Sequence, residues 1–158
     1  MTRAELVAAL AARTRWLDDG KETPHRSCGI ALAETYGRAT APYQALRRGG
    51  ITGAGTCGAV VAGQLILGEL LGDPDPTGPV TPALRAAMTA YQAEIARRLD
   101  RPSLVCNDLV RPFGEFGSQA RQTHCLDLAT TVSEVLADVL VGAGVPLDLE
   151  SLVRRPAP

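Results

Sequence analysis

The sequence predicts an all-α fold: a compact single-domain bundle of about five helices, with a glycine-rich loop and an irregular Cys/Phe segment. Three observations carry this. Hydrophobic residues make up 46% of the 158-residue chain but aromatics only 4%, so Leu, Val and Ala must fill the core, which suits closely packed helices better than stacked sheets. Apolar residues recur every three or four positions over long stretches, and no segment alternates with the period of a strand. The length fits one domain that buries most of its unfolded surface, predicted here as residues 1–145, with 146–158 as a flexible tail.

The elements follow in order. Thr2 and Glu5 form a capping box, and Leu6, Leu10 and Leu17 with Ala9 and Ala12 give an amphipathic face up to about Asp18. After a polar loop containing Pro24, Ser27 can cap a short helix from Cys28 to Tyr36 that Gly37 stops. Pro42 to Arg48 adds a helical turn or two before the glycine-rich loop Gly49 to Gly55. A long apolar helix then runs from about Thr56 to Leu71 and ends at Gly72-Asp73-Pro74. Thr81-Pro82 opens the clearest helix, with Leu84, Met88, Tyr91, Ile95 and Leu99 on one stripe, broken by Arg101-Pro102. Cys106 to Gly117 reads as irregular and anchored into the core by Phe113 and Phe116. A last helix, about Gln119 to Val141, carries Cys125, Leu128, Val132, Leu136 and Val139 on one side and stops at Gly142-Ala143-Gly144.

Charge excludes several functions. Sixteen Lys and Arg stand against 17 Asp and Glu, all scattered, so no basic face advertises itself to nucleic acid or an acidic membrane. Arg47-Arg48, Arg97-Arg98 and Arg154-Arg155 are isolated pairs that read as solvated ends. The first residues lack the uncharged apolar run of a secretory signal, and Gly58 to Gly72 is too short to cross a bilayer, so a cytoplasmic location is expected.

In a reducing compartment four cysteines point to metal ligation or redox chemistry more often than to structural disulfides. Cys28, Cys57, Cys106 and Cys125 lie 29, 49 and 19 residues apart, with no Cys-x-x-Cys, which excludes a zinc ribbon and a thioredoxin motif. Cys28 follows the Ser27 cap, Cys57 opens the long core helix and Cys125 falls early in the last one. Unpaired N–H groups and the helix dipole favour a thiolate at such positions. Both histidines sit near a cysteine, His25 before Cys28 and His124 beside Cys125, as a ligand, a base or a cationic partner would; neighbours on a helix nonetheless point about 100° apart. The rival reading is that the thiols are small buried hydrophobes.

Gly53-Ala54-Gly55-Thr56-Cys57-Gly58 matches G-x-G-x-x-G, but no strand precedes it, so it is not a dinucleotide fingerprint, and without a following Lys it is not a Walker loop. It remains a turn in which Gly53, Gly55 and Gly58 bring bare backbone close to whatever Cys57 holds.

Four separated cysteines with a glycine-rich Cys-Gly-Ala helix start resemble the redox-active family named for its C-GCAxxG-C-C pattern. Ser27-Cys28-Gly29, Gly49-Gly50 with Gly53 to Ala59, Cys106-Asn107-Asp108-Leu109 and Cys125 look like its four cysteine segments in order. Ala62 stands where the family has its next glycine, and Ser27 where asparagine is usual. The resemblance implies a helical protein with redox-active cysteines, and its relation to a domain of split-Soret cytochromes implies a scaffold that can hold an iron–sulfur cluster; no haem attachment motif is present.

The leading expectation is a redox protein in which Cys28, Cys57, Cys106 and Cys125 ligate an iron–sulfur cluster, [2Fe-2S] or [4Fe-4S], for electron transfer or redox support of a partner enzyme. Cys57 is the residue on which the chemistry centres. A redox partner protein and a homodimer are the expected partners, and an oxidoreductase activity stays open. Two alternatives stand beside it: a metal-free thiol/disulfide oxidoreductase or redox sensor led by Cys57, and a helical interaction module with structural cysteines.

Overall fold

The computed structural model of the chain describes residues 1–154, and among them it is all-α: α1 (Arg3–Asp19), α2 (Cys28–Thr35), α3 (Gly58–Leu71), α4 (Pro82–Leu99), α5 (Cys106–Val110), α6 (Gln119–Gly142) and α7 (Leu149–Arg154). Two short 3-10 turns, Ala41–Leu46 and Arg111–Phe113, complete the helical content. The Thr2 and Thr81 caps are those the sequence implies, and Ser118 adds a third. Thr2 and Glu5 form the reciprocal box, and the Thr81 and Ser118 hydroxyls accept from Leu84 and Arg121 backbone N–H groups. Ser27 is the exception: it precedes α2, yet its hydroxyl caps nothing and is buried without a partner.

The long helix α6 is the spine. Its buried side chains, Leu128, Val132, Leu136 and Leu140 among them, pack against α1, α3 and α4, while α2 lies between α1 and α3. On α1 the buried positions are Leu10, Ala11, Thr14, Leu17 and Asp18, with Ala12 turned outward. The short apolar α3 is buried at Ala59, Val60, Ala62, Gly63, Ile66 and Leu67. At Gly63 an added Cβ would stand 2.1 Å from the Tyr91 hydroxyl. Glycine is what lets α4 bring Tyr91 against α3, where its hydroxyl donates to the Val60 carbonyl at 2.9 Å. Tyr91→Phe should leave that fully buried contact unmade and lower stability by about 1–2 kcal/mol, measured by urea unfolding.

Three expectations are corrected. The Cys106 segment is helical from Cys106 to Val110, not irregular, because the Val105 residue before it is extended and Ser103 stabilises the turn, its hydroxyl accepting from Val105 N–H and donating to Asp108. Phe116 is 58% exposed and does not anchor the core; Phe113 is half-buried and stacks on His124 instead. Residues 149–154, expected to fray, form α7, with Leu147, Leu149 and Leu152 packed on the core. Residues 155–158, the end of that expected tail, lie outside the described residues. With α5 and α7 the helices outnumber the five expected. No described helix is long and apolar enough to cross a membrane.

The loop between Leu46 and α3 sets up the site. Four consecutive residues, Arg48, Gly49, Gly50 and Ile51, take left-handed backbone angles, a conformation that costs a β-branched residue most. The run coils the chain so that Ile51 N–H reaches Arg47 O and Gly55 N–H reaches Gly49 O. The far side of the coil is then laced to the next segment: Cys57 N–H donates to Leu104 O, Cys106 N–H to Gly55 O and Asn107 N–H to Gly53 O, all within 2.8–2.9 Å. Thr56 and Val105 form an isolated antiparallel bridge in the middle of this lacing.

Candidate functional site: a four-cysteine cavity

That lacing carries residue 106 across 49 positions of sequence to the side of residue 57. A second fastening does the same for Cys28: Arg26 N–H donates to Leu17 O at 2.9 Å, and the Arg26 guanidinium grips Glu34 at 3.0 Å, folding the Gly20–Ser27 loop back on α1 and α2. Cys125 comes in from α6. The result is one cavity of about 1090 Å³ with all four cysteines of the chain in its wall. None is in a disulfide; Cys57 and Cys106 are buried, Cys28 and Cys125 half-buried.

Their helical positions differ from the expectation in one way, at Cys106. Cys28 opens α2 and Cys57 is the N-cap of α3, as the sequence suggests. Cys106 is also at a helix start, that of α5, whereas Cys125 lies a turn and a half inside α6, where backbone N–H groups are already spent within the helix. The thiols are accordingly unequal. Cys28 keeps its proton, its pKa raised by interaction with the neighbouring Cys57 thiol and by burial. The pKa of Cys57 is lowered, first by that same interaction and then, against the cost of burial, by the Val60 and Ala59 backbone at the start of α3. Burial pushes Cys125 up to about 11 and also raises Cys106, whose neighbour Cys57 adds to the effect.

Among the three glycines expected to cradle a cofactor, only Gly58 lines the cavity. The others are used for contact between chain segments: a Cβ on Gly53, whose φ is +77°, would meet Asn107 Oδ1 at 2.1 Å, and one on Gly55 would meet Gly49 O at 2.7 Å. Gly49, also in the wall, faces Cys106 Cβ. Gly53 and Gly55 thus serve to bring Cys57 and Cys106 together. The two histidines part company. His25 lines the cavity, its Nδ1 against the Asp18 carbonyl oxygen. His124 faces away to stack on Phe113, with ring centroids 3.9 Å apart, and burial lowers its pKa.

Sequence reasoning missed Asp18, Arg48, Arg121 and Phe116, which also line the cavity. Asp18 was findable, since Leu10, Thr14, Leu17 and Asp18 fall on one buried face at helical spacing. Its carboxyl is 8% exposed, Oδ2 has no hydrogen-bond partner, and burial raises its pKa to about 7 despite the opposing pull of His25. Unfolded, the same group loses its proton near pH 4. Between those values the folded chain holds the extra proton, so stability falls as pH rises through the window. Asp18→Asn removes that penalty. Relative to its effect at pH 4, the variant should gain stability at pH 8, by at most about 4 kcal/mol, read from thermal or urea unfolding at both pH values.

Among the described residues no group of three or more His, Cys, Asp or Glu side chains is placed to hold a metal ion. No protein-family model, curated protein or solved structure matches the chain. Fold and site together define an all-α chain built around a four-cysteine cavity.

Proposed function

We propose that this chain is a redox protein whose four cysteines form a joint site for an iron–sulfur cluster, serving electron transfer or redox support of a partner protein. The single observation that carries the reading is that Cys28, Cys57, Cys106 and Cys125, remote in sequence, line one cavity. Four thiols that merely pack would have no reason to share a wall. Four cysteine ligands suit both common cluster types. The resemblance to the C-GCAxxG-C-C family supports the same reading from the order of the segments.

A bound cluster would supply one-electron chemistry. The chain's own contribution is to hold the sulfurs and to favour their anionic form. Cys57, with its lowered pKa at the start of α3, is the thiolate most readily offered; Arg121 sets positive charge against the ionised forms of both Cys106 and Cys125, and Arg48 adds to it at Cys106. Anaerobic purification followed by iron and sulfide analysis, with visible and paramagnetic resonance spectra, tests the reading: iron and sulfide in near-equal amounts support it, and their absence overturns it.

One observation favours a second reading. Cys28 and Cys57 line the same cavity and are each other's largest influence on pKa, with Cys57 the more acidic, which suits a thiol/disulfide oxidoreductase with Cys57 attacking and Cys28 resolving. In that reaction the pair forms a Cys28–Cys57 disulfide, and its two electrons and two protons convert a partner's disulfide to two thiols. Thiol counting at graded redox potential separates the readings, because a reversible two-electron disulfide without iron belongs only to the second.

A further inference from the structure

The cavity is larger than a centre held by the sulfurs requires, since about 1090 Å³ lies at the upper end of what whole small-molecule sites occupy. Two of the four arginines in its wall share one aromatic partner. Arg48 comes from the left-handed loop, with φ +51°, and Arg121 from the first turn of α6. Their guanidinium carbons lie 4.3 and 3.6 Å from the centre of the Phe116 ring, so one exposed aromatic side chain fixes both cations in place.

Neither arginine is in an ion pair among the described residues. Arg121 goes further: its Nε is buried with no hydrogen-bond partner, a state that is uncommon and costly for a charged donor. Lys21, Arg47 and Arg15 add positive charge to the same wall, although Arg15 is held by Asp127 at 2.8 Å. Opposing them are Asp18 and Asp19, of which the first keeps its proton up to about pH 7. The wall therefore carries an excess of cationic donors beside the sulfurs.

We propose that Arg48 and Arg121, held on Phe116, form an anion subsite that admits a small carboxylate- or phosphate-bearing molecule to the four-cysteine cavity. Guanidinium forks match the paired oxygens of both groups, and an anion there would satisfy the Arg121 Nε. The inference stands on the arginines and the cavity, whatever the sulfurs hold.

Calorimetric titration of the purified full-length chain at low salt tests it, with malonate, pyrophosphate and the neutral malonamide as probes. Saturable binding of one malonate or pyrophosphate per chain, with no response to malonamide, is the expected result, and which anion binds assigns carboxylate or phosphate. Arg48→Gln and Arg121→Gln should each weaken it about 10-fold or more, since a hydrogen bond to a charged group contributes that much. Arg48 is solvent-exposed, so its variant keeps the fold even if loss of Arg121 disturbs α6. The inference is overturned if neither anion saturates, or if affinity is unchanged in both variants. Binding of a polyglutamate peptide alone, lost in the variants, also overturns it and assigns the arginines to an acidic protein partner. Iron analysis of the same samples keeps this outcome separate from that of the cluster reading.

Discussion

If the chain holds the proposed cluster, Cys57→Ser, purified without oxygen, should lack the iron and visible absorption of the parent while keeping its helical circular dichroism. Cys57 is the thiol that the surroundings hold most strongly toward the anion, at the N-cap of α3, and it is the residue whose charge bears on Cys106 and Cys125 alike. A serine hydroxyl at the same place has nearly the same size, but it remains protonated at neutral pH and is a poor ligand for iron. The companion variants sharpen the result. If the four thiols act as one ligand set, Cys106→Ser and Cys125→Ser also deplete the iron; if Cys28 and Cys57 act as a dithiol, those two variants leave the two-electron disulfide couple in place and only Cys28→Ser or Cys57→Ser abolishes it. A Cys57→Ser protein with full iron content and an unchanged spectrum would remove Cys57 from the ligand set.

Gly58→Ala should be the most destructive single-methyl change in the site. Gly58 opens α3 directly after Cys57, and a Cβ built there lies 2.2 Å from the carbonyl oxygen of Leu46, a backbone atom at the end of the 3-10 turn. No rotamer change relieves such an overlap. Either the 3-10 turn or the start of α3 must shift, at a cost of about 3 kcal/mol, which for a chain of this size lowers Tm by roughly 6–12 °C. The shift moves Cys57 itself, so thiol reactivity or iron content should change with stability. Gly68→Ala provides the control on the same helix. Nothing lies within 4 Å of its Cβ position, so there the methyl only removes unfolded-state freedom and should stabilise the protein by about 0.5–1 kcal/mol. Opposite signs at two glycines of one helix, measured by thermal unfolding, would show that close approach and not helix propensity governs position 58.

The local elements were legible because their causes are local. The Thr2 and Glu5 box, the Thr81-Pro82 start and the every-third-or-fourth apolar stripes of α4 and α6 depend on neighbours a turn away, and the structure keeps them. The errors arose where longer-range contacts decide. Phe116 looked like a core anchor by composition, but it is taken up by two arginines at the cavity; α7 looked like a tail because its leucines have a partner only once α1 and the core are in place. Ser27 sits where a cap belongs and makes none.

The sequence by itself determined that the chain is helical, where the long helices start and stop, and that cysteines at 28 and 57 open helices while glycines surround one of them. Those are properties of capping, periodicity and side-chain size, which act over a few residues. Only the tertiary structure decided that Cys106 and Cys125 share a wall with the other two, that Asp18 is buried beside them and that Arg48 and Arg121 face the same space. Convergence of residues tens of positions apart depends on the left-handed coil at 48–51, the backbone lacing of Gly53 and Gly55 to 106–107 and the packing of α1 on α6. Such contacts leave no spacing in the sequence from which they could be read.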